Sequence, residues 1–190
     1  MQSTVLNVGR LVPRKGQFYL VEAVKKLVAD GMDLKLVIVG IGPEEKNIRR
    51  MAEDLDFRLE LVISNEKLEE EYKNADVFVL PSITDDQGEK EGLGLVLLEA
   101  MHYKLPVIAF ENGGTREVVI NDFNGILLPE KDTDGLAAAI KKVLTDQGFR
   151  NRIVQTAYED AHKRFSVETI INNQLEIYNR ILEKTKTVNC

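Results

Sequence analysis

The chain has 190 residues, enough for one domain with a sizeable core and cramped for two. Its make-up, 44% hydrophobic and 29% charged with no tryptophan, is that of an ordinary globular protein and argues against disorder except at the tail. A formal net charge of -6 excludes a general nucleic-acid footprint, so any phosphate ligand must be gripped locally.

In chain order, short aliphatic runs alternate with amphipathic helical patterns, the signature of βαβ units and a parallel sheet. A first strand is expected at 5–8, followed by a helix at 17–29 that stops at Gly31. A second strand at 36–39 leads into a helix at 44–55, opened by Pro43 and the acids of "GPEE". The third strand is expected at about 59–63 with a helix at 66–74, and the fourth at 77–80 with a helix at 94–103. A fifth strand at 107–110 precedes a helix at 115–121, and a sixth at 126–128 precedes a helix at 133–145 that Asp132 can cap. Two further helices, near 150–165 and 167–184, close the chain without adding a strand. Their aliphatic positions, among them Ile170, Ile171, Leu175, Ile177, Tyr178, Ile181 and Leu182, can pack on this domain or on something outside it.

The strands "LKLVIVG", "ADVFVLPS" and "LPVIAF" are nearly continuous hydrocarbon, so helices should cover both sheet faces. The expected fold class is α/β, a three-layer, doubly wound domain with about six parallel strands. No apolar run approaches the ~20 residues a membrane span needs, and "MQSTVLNVGR" lacks the hydrophobic region of a signal peptide. The lone Cys190 cannot close an internal disulfide, which fits a reducing cytoplasm.

In such a sheet, ligands settle beyond the carboxyl ends of the strands, where helix N-termini converge. The residues there are "GRLVPRKG" with Gly9, Arg10 and Lys15, then "GIGPEE", "PSITDDQGEKEGLG" and "ENGGT". Glycines let backbone approach a ligand and leave N–H groups free for anions. Arg10 adds a planar fork and Lys15 a point charge, a pairing suited to diphosphate oxygens. Taken alone, the two also fit solvated surface cations.

"EGLGLVLLEAM" then sets Glu91 and Glu99 in a run of glycine and hydrocarbon. A helix apolar nearly all round is expected to be buried, so an ionised Glu99 needs hydrogen-bond partners, such as the vicinal hydroxyls of a ligand. A lysine or a backbone amide would serve as well. Glu91, at the start of the helix, is either an acid favoured by the macrodipole or an acceptor for a polyol. Two carboxylates for hydroxyls and two cations for phosphates describe a nucleotide-sugar better than a bare nucleotide. The three-glycine dinucleotide fingerprint and the Walker loop are both missing. Asp85, Asp86 and Glu89 read as a solvated loop rather than a metal site, and His102 and His162 as helix-surface residues.

These motifs, in this order, resemble the retaining family-4 glycosyltransferases of the GT-B fold, in their C-terminal, donor-binding domain. "VGRLVPRKG" looks like the family's Gly-Arg...Lys-Gly loop, "LVIVGIGPE" its second strand and turn, and "NADVFVLPS" the strand before the site. "EGLGLVLLEAM" looks like its paired-glutamate motif, and "LPVIAFENGGTREVVINDFNGILLPEKD" is similar to the segment that follows. The resemblance implies a single Rossmann-like domain spanning 1–190, with Arg10 and Lys15 on the diphosphate, Glu91 touching the transferred sugar and Glu99 holding the ribose. Gly9, Gly92 and the backbone N–H groups of Leu93, Gly94 and Leu95 would line the donor, with Ile63 as a contact to the base. It implies no metal or other cofactor, a UDP-linked donor with GDP-linked as the alternative, and hexosyl transfer with retention of configuration.

Two departures bear on the base and the sugar. "LDFRLELVISNEKL" is compressed, with Leu61 where relatives have a glycine, and "ITDDQGEKEG" is long, as in members that build cell-surface polysaccharides. The resemblance also implies an N-terminal acceptor domain absent from this chain, so the isolated domain is expected to bind donor weakly and transfer nothing. The last helix of relatives crosses back to that domain, so its apolar face here should be partly exposed and prone to self-association. The expected location is cytoplasmic, with the full-length enzyme peripheral to the inner face of the membrane as a further option. A nucleotide-sugar sensing module and a GT-B-like epimerase are the alternatives.

Overall fold

A computed structural model describes the backbone from residue 2 to residue 188 and side chains to residue 181. Cys190 and the side chain of Leu182 lie outside the described residues. Six strands form one sheet: β1 (Ser3–Val8), β2 (Leu34–Val39), β3 (Asp56–Glu60), β4 (Val77–Leu80), β5 (Val107–Phe110) and β6 (Ile126–Leu128). Their order is β3-β2-β1-β4-β5-β6, and every pairing is parallel. The connections run through α1 (Gln17–Ala29), α2 (Glu45–Met51), α3 (Asn65–Asn74), α4 (Leu95–His102), α5 (Thr115–Val118) and α6 (Thr133–Thr145). After them come α7 (Gln147–Phe165) and α8 (Val167–Val188).

Alternation along the strands sorts the core into two halves. Val5, Leu36, Ile38, Val77, Val79, Ile108 and Phe110 pack with α1 and α6 on one face. Leu6, Val37, Val39, Phe78, Leu80, Val107 and Ala109 pack with Tyr72 of α3 and with Leu97, Ala100 and Met101 of α4 on the other. Each wholly buried Leu, Ile, Val or Phe contributes about 1.5–3 kcal/mol of transfer free energy, so both layers are held by hydrocarbon. Helix α7 joins the layers, with Ile153 in the first and Ala157 and Ala161 in the second.

Several expected boundaries move. The third strand lies at Asp56–Glu60, several residues earlier than the run at 59–63 suggested. Its register is set by β2, from Lys35 against Asp56 to Val39 against Glu60, and the ladder ends when Gly40 N–H donates to the Glu60 carbonyl. Leu61 and Val62 therefore lie past the sheet, Val62 being 83% exposed. Helix α2 stops at Met51 in a turn closed from Leu55 to Ala52. Helix α5 ends at Val118 because the buried Asn124 amide donates to the Val118 carbonyl while its Oδ1 accepts from Ile120. Helix α7 begins earlier, at Gln147, where the Asp146 carboxylate accepts from the Phe149 amide. Asp132 does cap α6, accepting from Gly135 at 2.8 Å.

Among the described residues, α8 makes its larger packing contacts with α7. Val167, Ile170, Ile171, Leu175, Ile177, Tyr178 and Ile181 are each about half exposed or more.

Candidate functional site

Strands β1 and β4 are neighbours, and the helices that follow them, α1 and α4, cover opposite faces. A crevice therefore opens beyond their carboxyl ends. Two buried amides brace its floor. Asn7 of β1 donates through Nδ2 to the Val79 carbonyl of β4 at 2.8 Å. Gln17, at the start of α1, donates to the Arg10 carbonyl at 3.0 Å and reaches Asn7 Oδ1 at 3.4 Å. Unpaired, each amide would cost about 1–3 kcal/mol; paired, they tie the loop after β1 to both strands.

That loop contains a short turn, Pro13–Lys15, ended by Gly16 with φ 63°. A Cβ at Gly16 would stand 1.9 Å from the Pro81 carbonyl oxygen, so only glycine lets the turn lie this close to the segment after β4. The turn brings Lys15 Nζ within 2.5 Å of Glu91 Oε2, and Ser82 Oγ donates to the same oxygen at 2.7 Å. The two charged side chains are only 13% and 9% exposed. Burial opposes the Glu91 charge, but the hydrogen bonds from Lys15 and Ser82 and the positive charges of Lys15 and Arg14 outweigh it. The carboxyl is held below its ordinary range, so at neutral pH Glu91 is an acceptor and not an acid.

Arg14 donates to the Lys90 carbonyl at 2.6 Å, anchoring the segment before Glu91. Arg10 is exposed, and its guanidinium has no partner among the described residues. It borders a cleft of about 360 Å³ with Val12, Arg14, Ile83, Asp86 and Lys131.

The peptide of Glu91 is fixed from the loop after β5. Its N–H donates to Asn112 Oδ1 at 2.6 Å, and its carbonyl accepts from Gly114 at 3.1 Å. Gly113 and Gly114 sit under this backbone, where added Cβ atoms would stand 2.1 Å from the Glu91 oxygen and 1.8 Å from the Gly92 oxygen. Gly40 and Gly42 are filled likewise, by the carbonyls of Gly9 and Leu11. These glycines make room for the chain's own backbone, where their position alone suggested room for a ligand. The Gly9 N–H donates to the Val39 carbonyl at 2.9 Å.

At the mouth of α4 the expectation of free amides fits better. Gly94, with φ 77°, starts the helix without a side-chain cap, and the amides of Leu93, Gly94 and Leu95 have no partner among the described residues. Unsatisfied N–H groups at the positive end of a helix favour an anion. Along the chain, Glu91, which holds Lys15, comes three residues before Gly94, and Glu99 comes four residues after Leu95 on the helix itself.

Glu99 corrects the expectation of depth. Helix α4 buries only Leu97, Ala100 and Met101, leaving Leu95 63% exposed and Glu99 and His102 exposed along one face. Its apolar residues outnumber the positions that touch the sheet, so hydrocarbon all round did not mean burial all round. Glu99 Oε2 accepts from the buried Tyr72 hydroxyl at 2.8 Å, and the Tyr72 ring stacks on Tyr103 at 5.3 Å. Burial and then the Glu99 charge push the Tyr72 phenol upward, so it remains a fixed donor.

Ile63 lies three residues past β3, outside the strand in which the sequence placed it, and packs against the second core layer. His102 and His162 are on helix surfaces, with rings facing at 5.5 Å. Asp85 accepts from the Gln87 and Glu89 amides in a turn of its own loop. No cluster of three or more acids, His or Cys able to hold a metal occurs among the described residues. Within that limit, too, no helix is long and apolar enough to cross a membrane.

Sequence reasoning missed Ser82, Thr84, Asn112 and Glu130 around Glu91, and Tyr72 beside Glu99. Ser82 and Asn112 carried a signal, as polar residues two places past strands of pure hydrocarbon. Thr84 and Glu130 carried none.

Residues 1–160 match the family model described as glycosyl transferases group 1. An uncharacterized glycosyltransferase of Methanocaldococcus jannaschii is 33% identical over 186 residues, covering 96% of this chain and 46% of that protein. A GDP-mannose-dependent alpha-(1-6)-phosphatidylinositol monomannoside mannosyltransferase of Mycolicibacterium smegmatis is 37% identical over 147 residues, 75% of this chain and 38% of that one. Among solved structures, sucrose-phosphate synthase from Thermosynechococcus elongatus superposes with a TM-score of 0.81 at 29% identity, over 96% of this chain and 46% of its own. Anabaena HepE in complex with UDP and glucose gives 0.80 at 25% identity, over 94% and 48%. The chain spans about half the length or less of the curated relatives it matches. On the family match and these relatives, the chain belongs to the glycosyl transferases group 1 family, with the Rossmann-like fold of its GT-B members.

Proposed function

We propose that residues 1–190 are the donor-binding domain of a retaining hexosyltransferase that takes a nucleotide-diphosphate sugar and passes the sugar to a saccharide or lipid-linked acceptor. The observation that carries this reading is the buried Lys15–Glu91 pair set beside the unpartnered amides that open α4. The amides and Arg10 receive the diphosphate, Lys15 shares its charge between Glu91 and the phosphate, and Glu91 accepts hydroxyl hydrogens of the hexose. Glu99, steadied by Tyr72, accepts from the ribose.

Departure of the nucleoside diphosphate concentrates negative charge on the phosphate oxygens, and fixed donors aimed there lower the barrier. Glu91 is ionised and tied to Lys15, so it orients the sugar instead of delivering a proton. Attack from the face the phosphate leaves retains configuration and needs neither a metal nor a protein nucleophile. The relatives are about twice as long, and in this reading the acceptor site and transfer itself are properties of a complete enzyme. One relative is named GDP-mannose-dependent and one related structure holds UDP, so both bases enter the test, with UDP favoured.

Titrating the chain with UDP-glucose and with GDP-mannose, followed by amide chemical shifts, should move the resonances of Arg10 and of residues 92–95 with one of them. A folded chain that responds to neither overturns the reading.

A further inference from the structure

Glu91 does not hold its place through its own side chain alone. Its N–H is taken by Asn112 Oδ1 at 2.6 Å, and Asn112 is 1% exposed. The other end of the Asn112 amide donates to Glu130 Oε1 at 2.6 Å and to Thr84 Oγ1 at 3.0 Å. Glu130 in turn accepts from the Thr84 hydroxyl through Oε1 and from the Thr84 N–H through Oε2, each at 2.8 Å. The backbone of Asn112 is locked as well, its N–H donating to Thr115 Oγ1 at 2.9 Å and its carbonyl accepting from Thr115. Three loops that follow β4, β5 and β6 are thereby joined through one side chain, and Glu91 lies at the end of that chain of contacts.

Burial works against the Glu130 charge, and the bonds from Thr84 and Asn112 together with the Lys90 charge overcome it, so its carboxyl sits below the ordinary range. At neutral pH Glu130 is therefore an acceptor with a defined donor on each oxygen, which fixes which way the Asn112 amide faces. Only with NH2 toward Glu130 does Oδ1 face Glu91. A reversed amide would present hydrogens to the Glu91 N–H and release the peptide.

We infer that Asn112 and Glu130 are positioning residues for the sugar-facing carboxylate: Glu130 orients the Asn112 amide, and Asn112 sets the peptide from which Glu91 reaches the donor. The inference rests on the role proposed for Glu91. Asn112 is buried, and neither Asn112 nor Glu130 shares a hydrogen bond with Glu99 or Tyr72, so their effect falls on the Glu91 end of the crevice.

The test uses single and paired changes. Glu130→Gln and Asn112→Asp each leave one contact mismatched, whereas the pair together exchanges donor and acceptor across the 2.6 Å contact, and the Thr84 hydroxyl keeps both partners by turning to accept from position 130 and donate to position 112. In the 190-residue chain, hydrogen exchange of the Glu91 N–H should quicken about tenfold in each single variant and return to within about twofold in the pair, with core amides such as those of Val37 and Ile108 unchanged. In the complete transferase, kcat should fall on the order of tenfold in each single variant with donor KM within about twofold, and recover in the pair. Unchanged Glu91 exchange and kcat in the single variants overturn the inference, as does a loss spread over all amides that the pair does not repair. If the wild-type chain binds no nucleotide-sugar while the exchange pattern holds, it is the reading of the site that fails and not the positioning.

Discussion

Glu91 and Glu99 belong to one stretch of eleven residues, yet they are held in opposite ways. Glu91 is almost enclosed, with Lys15 and Ser82 on its carboxylate and Asn112 and Gly114 on its peptide. Glu99 stands on an open helix face with Tyr72 as its one side-chain partner among the described residues. The difference teaches where each can act. A carboxylate fixed from four sides beside a lysine can present one geometry to a reacting sugar, whereas one on a single tether can adjust to a hydroxyl pair and contribute binding.

The kinetic contrast should be the largest effect. In the complete transferase, Lys15→Ala should lower kcat on the order of 10²–10³-fold, the scale for losing one preorganised donor to a developing charge. Glu99→Ala should act mainly through donor KM, about tenfold, as expected for binding shared by ground and transition states. Equal losses of kcat in both would erase the distinction.

Stability should divide the same way. Glu91→Ala strands Lys15 with little access to water and should cost up to about 3 kcal/mol in denaturant unfolding. Gly114→Ala forces apart the two loops that hold Glu91 and should cost about 1–3 kcal/mol. Tyr72→Phe removes one hydrogen bond at the Glu99 end and should cost about 1 kcal/mol.

Acid sharpens the comparison further. Glu91 and Glu130 both have folded-state pKa values lowered below the ordinary carboxylate value of 4.5. Their contribution is therefore complete above the unfolded-state range and is lost as pH falls through the lowered folded values. Unfolding free energy should decline below about pH 4.5, and the decline should be shallower in Glu130→Gln, which has no charge there to lose.

Much of this was legible in the sequence. Strands β4, β5 and β6 and helices α1 and α6 fall where hydrocarbon runs and caps put them, because each is bounded by its own residues. Strand β3 was misplaced because an edge strand takes its register from its neighbour, and Phe57 and Leu59 alternate too briefly to announce it. The charged residues of the rim were visible as types at strand ends. Their depth was not, since burial of Glu91 depends on Gly16, Gly113 and Gly114 letting three loops close together, and exposure of Glu99 depends on which face of α4 meets the sheet. Glu130 lies 39 residues from Glu91, so no spacing rule could connect them.

The central claim, that the Glu91 end receives the sugar and the Glu99 end the nucleoside, is tested most directly by a difference map. Amide shifts of the chain saturated with UDP are subtracted from those with UDP-glucose. The account predicts that UDP alone moves Leu95, Glu99 and Tyr72, and that the added hexose moves Ser82 and residues 91–93. A hexose signal centred on Glu99, with residues 91–93 silent, would contradict it.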